Sequence, residues 1–191
     1  KEKATKQGIP VLPIDYSAPP RAVLGYGFIG LLGILQNLGL ITDKAADVEE
    51  MLTVLEAQSR SLGKDIPIAE NPAKRLANQF LGRLAIIYGG GYLAAVARRW
   101  KTQLNENAKA WAFFENLPEL NHNAVVGYQF PDWLKERALV VLLRSPLLEP
   151  RLQLRYQATA ELLERSGVEH QVVEGRGEGL FSQVMSLLLL G

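Results

Sequence analysis

The sequence predicts an α/β protein, a three-layer α-β-α sandwich built on a parallel sheet, and three observations predict it. Short continuous apolar runs such as 84–88, LAIIY, and 138–143, ALVVLL, are apolar at every position, the pattern of strands covered on both faces. Between them lie stretches of helical period, clearest in Leu93, Val96, Ala97 and Trp100. Strands that alternate with helices pair in parallel, because each helix carries the chain back to the edge where the next strand begins.

The elements follow in order. Gly8 to Ile14, GIPVLPI, reads as a short strand, and Ser17 to Pro20 as a helix start with Ser17 as a possible cap. Ala22 to Ile41 is 20 residues without a charge, long enough for a membrane span. Its five glycines and the adjacent Gln36 and Asn37 favour instead a helix buried on all sides. A strand and a helix without a partner cannot bury their own faces, so this opening reads as the tail of an upstream domain.

Asp43 to Gly63 is a connecting helix, with Val48, Met51, Leu52, Leu55 and Leu62 at helical spacing and Gly63 to stop it. Asn71 and Pro72 start a helix running to about Leu81, the asparagine as cap and the proline where its missing N–H costs nothing. The strands are then expected at 84–88, 111–114, 138–143 and 168–173. A helix at 150–166 closed by Gly167 and a last helix at 180–190 complete the pattern.

The 191 residues are 48% hydrophobic and 21% charged, enough to bury a core without staples. With no cysteine, disulfides and thiolate chemistry are excluded. A net charge of +1 with scattered basic residues gives no nucleic-acid footprint. Lys1 to Gln7 do not read as a secretory leader, so a cytoplasmic location without membrane attachment is the expectation.

Chemistry concentrates between Asn105 and Asn123. Glu106, between two asparagines, follows the first crossover helix, and His122 follows the second strand; each alone has an ordinary solvated reading. A carboxylate and an imidazole both near the active edge of a parallel sheet would suit proton transfer. Gly89 to Gly91 is either a tight turn or a ligand-facing loop, and its spacing fits neither a dinucleotide fingerprint nor a P-loop. His170 is 48 positions from His122 with no carboxylate motif between, so no metal and no cofactor is expected.

The stretch RRWKTQLNENAKAWAFFENLPELNHN resembles the signature of the bifunctional phosphoglucose/phosphomannose isomerases, a branch of the phosphosugar-isomerase (SIS) fold with two such domains in tandem. The resemblance implies that residues 1–67 are the remnant of a first SIS domain plus a connecting helix. Residues 68–191 would be the second domain, lacking its last helix. It further implies that Glu106 is the base, His122 the ring-opening histidine contributed from the opposite subunit of a homodimer, and Arg21 of PPRA the arginine that stabilises an enediolate.

The substrates implied are phosphorylated hexoses, glucose 6-phosphate and mannose 6-phosphate converted to fructose 6-phosphate through a cis-enediol. The family's phosphate-binding serines and threonines fall in the absent part of the first domain, and its catalytic lysine falls beyond Gly191. The chain alone is therefore expected to be inactive. The alternative expectation is a non-catalytic SIS module that binds a sugar phosphate in a regulatory role.

Overall fold

Four parallel strands run through the second part of the chain: β1 (Leu84–Gly90), β2 (Ala112–Leu117), β3 (Ala138–Arg144) and β4 (His170–Glu174), in the spatial order β2-β1-β3-β4. A computed structural model describes residues 2–191. β1 pairs with β2 from Ala85 opposite Ala112 and with β3 from Leu84 opposite Ala138, while β3 pairs with β4 from Val140 opposite His170. The expected parallel α/β sheet is present.

The helices are α1 (Glu2–Lys6), α2 (Leu24–Asn37), α3 (Ala45–Ser61), α4 (Pro72–Gln79), α5 (Leu93–Gln103), α6 (Leu120–Asn123), α7 (Leu134–Arg137), α8 (Pro150–Arg165) and α9 (Leu180–Leu190). Order and handedness together explain the layers. α5 carries the chain from β1 outward to β2, whereas α8 carries it from β3 outward to β4, in the opposite direction across the sheet. Right-handed crossovers in opposite directions lie on opposite faces. The long return from β2 to β3 runs in the same sense as α8 and shares its face, where Asn121 Nδ2 donates to Thr159 Oγ1 at 2.7 Å. α9 joins α5: the indole of Trp100 donates to the Leu187 carbonyl at 2.8 Å.

Leu93, Val96, Ala97 and Trp100, the four positions of the α5 period, are all buried, and every residue of β3 from Ala138 to Leu143 is buried. Asn71 caps α4 as expected, accepting from the Lys74 N–H at 3.1 Å, and its amide also donates to the Gly63 carbonyl at 3.2 Å. Gly167 closes α8 at φ +70°. α3 packs into this unit through Gln58, whose Nε2 donates to the Ser186 carbonyl at 3.0 Å.

The chain forms two compact units, Lys1–Ala45 and Ala46–Gly191, so α3 groups with the sheet and not with the first unit. Within the first unit, three expectations are corrected. Gly8 to Ile14 forms no strand among the described residues, and its Pro10 and Pro13 lack the N–H donors that a ladder uses. α2 has no buried residue. The extended segment before it lies against it, with Leu12 3.5 Å from the place of a Cβ on Gly30, while Leu31 and Ile34 are exposed. Ser17 does not cap it; the cap position is Val23, with no side-chain bond. Among the described residues no helix is long and apolar enough to cross a membrane.

A fourth correction concerns β2, whose aromatic run at 111–114 reads from the sequence as a core strand. It is an edge strand, so Trp111 is 75% exposed and packs, with ring centroids 4.8 Å apart, on a half-exposed Phe113 instead of entering the core. Ala112 and Leu117 are its buried positions.

Candidate functional site

The NENAK segment departs from regular helix. After Gln103 the backbone widens into a π-helical turn, Leu104–Ala108, that ends on Lys109 at φ +56°, the one non-glycine residue with a left-handed backbone among the described residues. The Ala110 N–H reaches back to the Leu104 carbonyl at 3.2 Å, and the Asn105 amide donates to the Ala110 carbonyl at 2.7 Å. Single π turns and left-handed non-glycine residues cost energy and recur where a side chain must be aimed. Glu106 sits in this turn with its side chain exposed. Leu104 and Ala108 of the same turn line an apolar cavity of about 320 Å³ together with Trp100 and the end of α9.

His122 is on α6, past the carboxyl end of β2, and is also exposed. The two residues are therefore not brought together within the chain. Glu106 follows a helix that has returned to the amino edge of the sheet, and His122 lies at the carboxyl edge. The six-residue strand between them spans about 20 Å. The expectation that both stand near one active edge is corrected: in a parallel sheet, a residue between the crossover helix and the next strand is at the amino edge. Arg21 lies in the first unit, exposed in the one-turn 3-10 helix Pro20–Ala22.

The carboxyl edge holds a cleft of about 600 Å³ whose lining includes Gly91, Pro118, Leu148, Arg151 and Arg155. It lies between β1 and β3, where successive connections leave for opposite faces, the usual place for a ligand in such sheets. Both readings of the glycine run have a share in it. A Cβ on Gly89 would fall 2.3 Å from the Leu93 carbonyl oxygen and one on Gly90 2.9 Å from Leu117 Cβ, so these two are required by close packing. Gly91, at φ +57°, makes the turn that borders the cleft. Sequence reasoning missed Arg151 and Arg155; their spacing of one helical turn at the start of a helix after a strand was the available signal.

Burial raises the Tyr88 and Tyr156 phenols well above their ordinary value, so both stay protonated and serve the core, not proton transfer. Among the described residues no group of three or more His, Asp or Glu is placed to hold a metal ion.

Residues 69–191 match the family described as bacterial phospho-glucose isomerase C-terminal SIS domain. A bifunctional phosphoglucose/phosphomannose isomerase of Caldicellulosiruptor bescii is 36% identical over 194 residues, covering 100% of this chain and 57% of that protein. A D-glucosamine-6-phosphate 4-epimerase of Sulfolobus acidocaldarius is 33% identical over 132 residues, 67% of this chain and 38% of that protein. Among solved structures, a glucose-6-phosphate isomerase like protein from Thermus thermophilus shares the fold, with a TM-score of 0.66 and 24% identity over 82% of this chain and 51% of that one. The chain spans about half the length of the curated relatives it matches.

Proposed function

The chain belongs to the bacterial phospho-glucose isomerase C-terminal SIS domain family, and on that premise we propose that it is part of an aldose-ketose isomerase. Its reaction interconverts glucose 6-phosphate and mannose 6-phosphate with fructose 6-phosphate. The observation that carries the reading is the match along the whole chain to the Caldicellulosiruptor bescii isomerase.

Glu106 is the base that takes the proton from C2 of the open-chain aldose; the C–H electrons form the C1=C2 bond of a cis-enediol, a proton passes from the C2 hydroxyl to the C1 oxygen, and return of the first proton to C1 completes the shift, the reverse reaction retracing these steps. His122 transfers a proton at the ring oxygen during ring opening. Arg21 offsets the negative charge that grows on the enediolate oxygen. The opposite-edge geometry supports a homodimer in which His122 acts on the partner's substrate, since one copy does not unite it with Glu106. An intermediate planar at C2 admits both epimers. No cofactor enters these steps. The domain boundary near residue 68 is supported by the start of the family match at residue 69.

The test replaces the matching part of the Caldicellulosiruptor bescii protein with residues 1–191. The chimera is expected to isomerise both hexose phosphates, the 191-residue chain alone to be inactive, and Glu106→Gln in the chimera to abolish turnover while fructose 6-phosphate still binds. Retained turnover in that variant removes Glu106 from the mechanism. A second reading, epimerisation at C4, is favoured by the likeness to the Sulfolobus acidocaldarius protein. A chimera that converts glucosamine 6-phosphate but neither hexose phosphate would establish it over the first.

A further inference from the structure

β4 is the second edge of the sheet, and its outer side is a polar groove. The Glu169 carbonyl accepts from the Val140 N–H at 3.1 Å and the Gly175 N–H donates to the Arg144 carbonyl at 2.9 Å, so odd-numbered residues turn their backbone groups toward β3. In a parallel ladder the residues between them turn the other way. His170, Val172 and Glu174 thus point their N–H and C=O groups outward, where they meet no hydrogen-bond partner among the described residues.

The groove beside them measures about 280 Å³ and is lined by Val172 and Glu174, by Arg176, and by Gln58, Arg75 and Gln79 from α3 and α4. Gln58 is only 2% exposed and held through its Nε2, yet its Oε1 has no partner, and neither does the buried Oε1 of Gln79. A buried acceptor left unpaired costs about 1–3 kcal/mol. Both residues belong to the lining of this groove, so its floor is polar. The charge there is positive: Arg75 gives one N–H to the Ala69 carbonyl at 2.7 Å and keeps others, Arg176 makes no ion pair among the described residues, and Glu174 is taken up by Arg144 at 3.7 Å.

We propose that this groove is a docking site for an extended acidic peptide segment of a partner protein, which adds as a fifth strand beside β4. An extended backbone presents N–H and C=O groups alternately, as Val172 and Glu174 require, and strand addition of this kind is a general mode of peptide recognition. Carboxylates on the same peptide meet Arg75 and Arg176 in the groove lining. A second copy of this chain fits less well, because pairing edge to edge would set Arg75, Arg144 and Arg176 against their own equivalents. The inference is independent of the isomerase reading.

The test uses the ¹⁵N-labelled 191-residue chain, a capped hexapeptide of alternating valine and aspartate, and its counterpart with lysine for aspartate. The aspartate peptide alone is expected to slow amide exchange at Val172 and Glu174. Arg176→Glu, an exposed change, is expected to weaken it about tenfold through the lost charged contact. Val172→Pro removes one outward N–H where an edge strand tolerates proline and is expected to abolish binding. Absence of protection at millimolar peptide, equal binding of both peptides, or concentration-dependent protection without peptide would each overturn the proposal.

Discussion

Glu106 and His122 stand at opposite edges of one sheet, the first in the π turn that ends α5 and the second on α6 beyond β2, with the whole of β2 between them. A strand of that length is not spanned by two side chains, which is the geometry behind the proposal that the site draws them from two copies.

Complementation tests this directly. In the active chimera, Glu106→Gln and His122→Ala should each be inactive alone. Mixed in equal amounts and allowed to exchange subunits, they should recover about a quarter of the wild-type rate, because half the dimers are mixed and each of those has one intact site. A mixture as inactive as its components would place both residues in the service of a single copy, or remove one of them from the reaction.

Gly89 is held by the close approach of α5. Gly89→Ala would set a methyl 2.3 Å from the Leu93 carbonyl oxygen and 2.8 Å from Ala97 Cβ, atoms of a packed helix that cannot step aside. The expected loss is about 1–3 kcal/mol, read as a lower denaturant midpoint at unchanged slope. Gly127→Ala, with nothing within 4 Å, is the control and should be near neutral.

The two tryptophans at 100 and 111 should respond in opposite ways. Trp100 is 2% exposed and hydrogen-bonded to α9, so Trp100→Ala is expected to cost about 3–5 kcal/mol. Trp111 is mostly exposed, and Trp111→Ala should change stability by about 0.5 kcal/mol or less. Thermal or chemical unfolding of the two variants measures the contrast.

The same contrast marks what residue order carries. The period of Leu93, Val96, Ala97 and Trp100 identified the buried face of α5, and the unbroken run at β3 identified a strand covered on both sides, because those signals are local. Trp111 and Phe113 are as apolar as that run, and only the strand order β2-β1-β3-β4 leaves them at an edge. α2 shows the same gap: an uncharged run states that cover is wanted, not what supplies it. The separation of Glu106 from His122 was legible, since a residue between a crossover helix and the next parallel strand lies at the amino edge. The π turn at Glu106, the orphaned oxygens of Gln58 and Gln79 and the outward face of Val172 have no sequence signal, because they depend on how helices from distant parts of the chain meet the sheet.

A carboxylate from α3 anchors the start of α9 and sets an acid dependence of stability. Glu50 Oε1 accepts from the Glu178 N–H at 2.9 Å, and its carboxylate lies against the Gly179 N–H and the Ser182 hydroxyl. The Ser182 hydroxyl, which also lies 2.8 Å from the Gly179 carbonyl, is the largest influence holding the Glu50 pKa below its ordinary 4.5; partial burial opposes it, and the two backbone N–H groups reinforce it. A group whose pKa is lower folded than unfolded contributes stability above its unfolded value, and that contribution disappears as pH falls through the folded one. Glu50→Gln keeps an amide oxygen as acceptor but removes the charge, so it should lower stability at neutral pH by less than about 1 kcal/mol, the scale of a solvent-screened charge at a helix N-terminus. The gap between wild type and variant should close as pH falls through the acid range below 4.5. Denaturant midpoints of the two proteins across roughly pH 3 to 7 measure it, and a gap that stays constant with pH would show that Glu50 is held by packing and not by its charge.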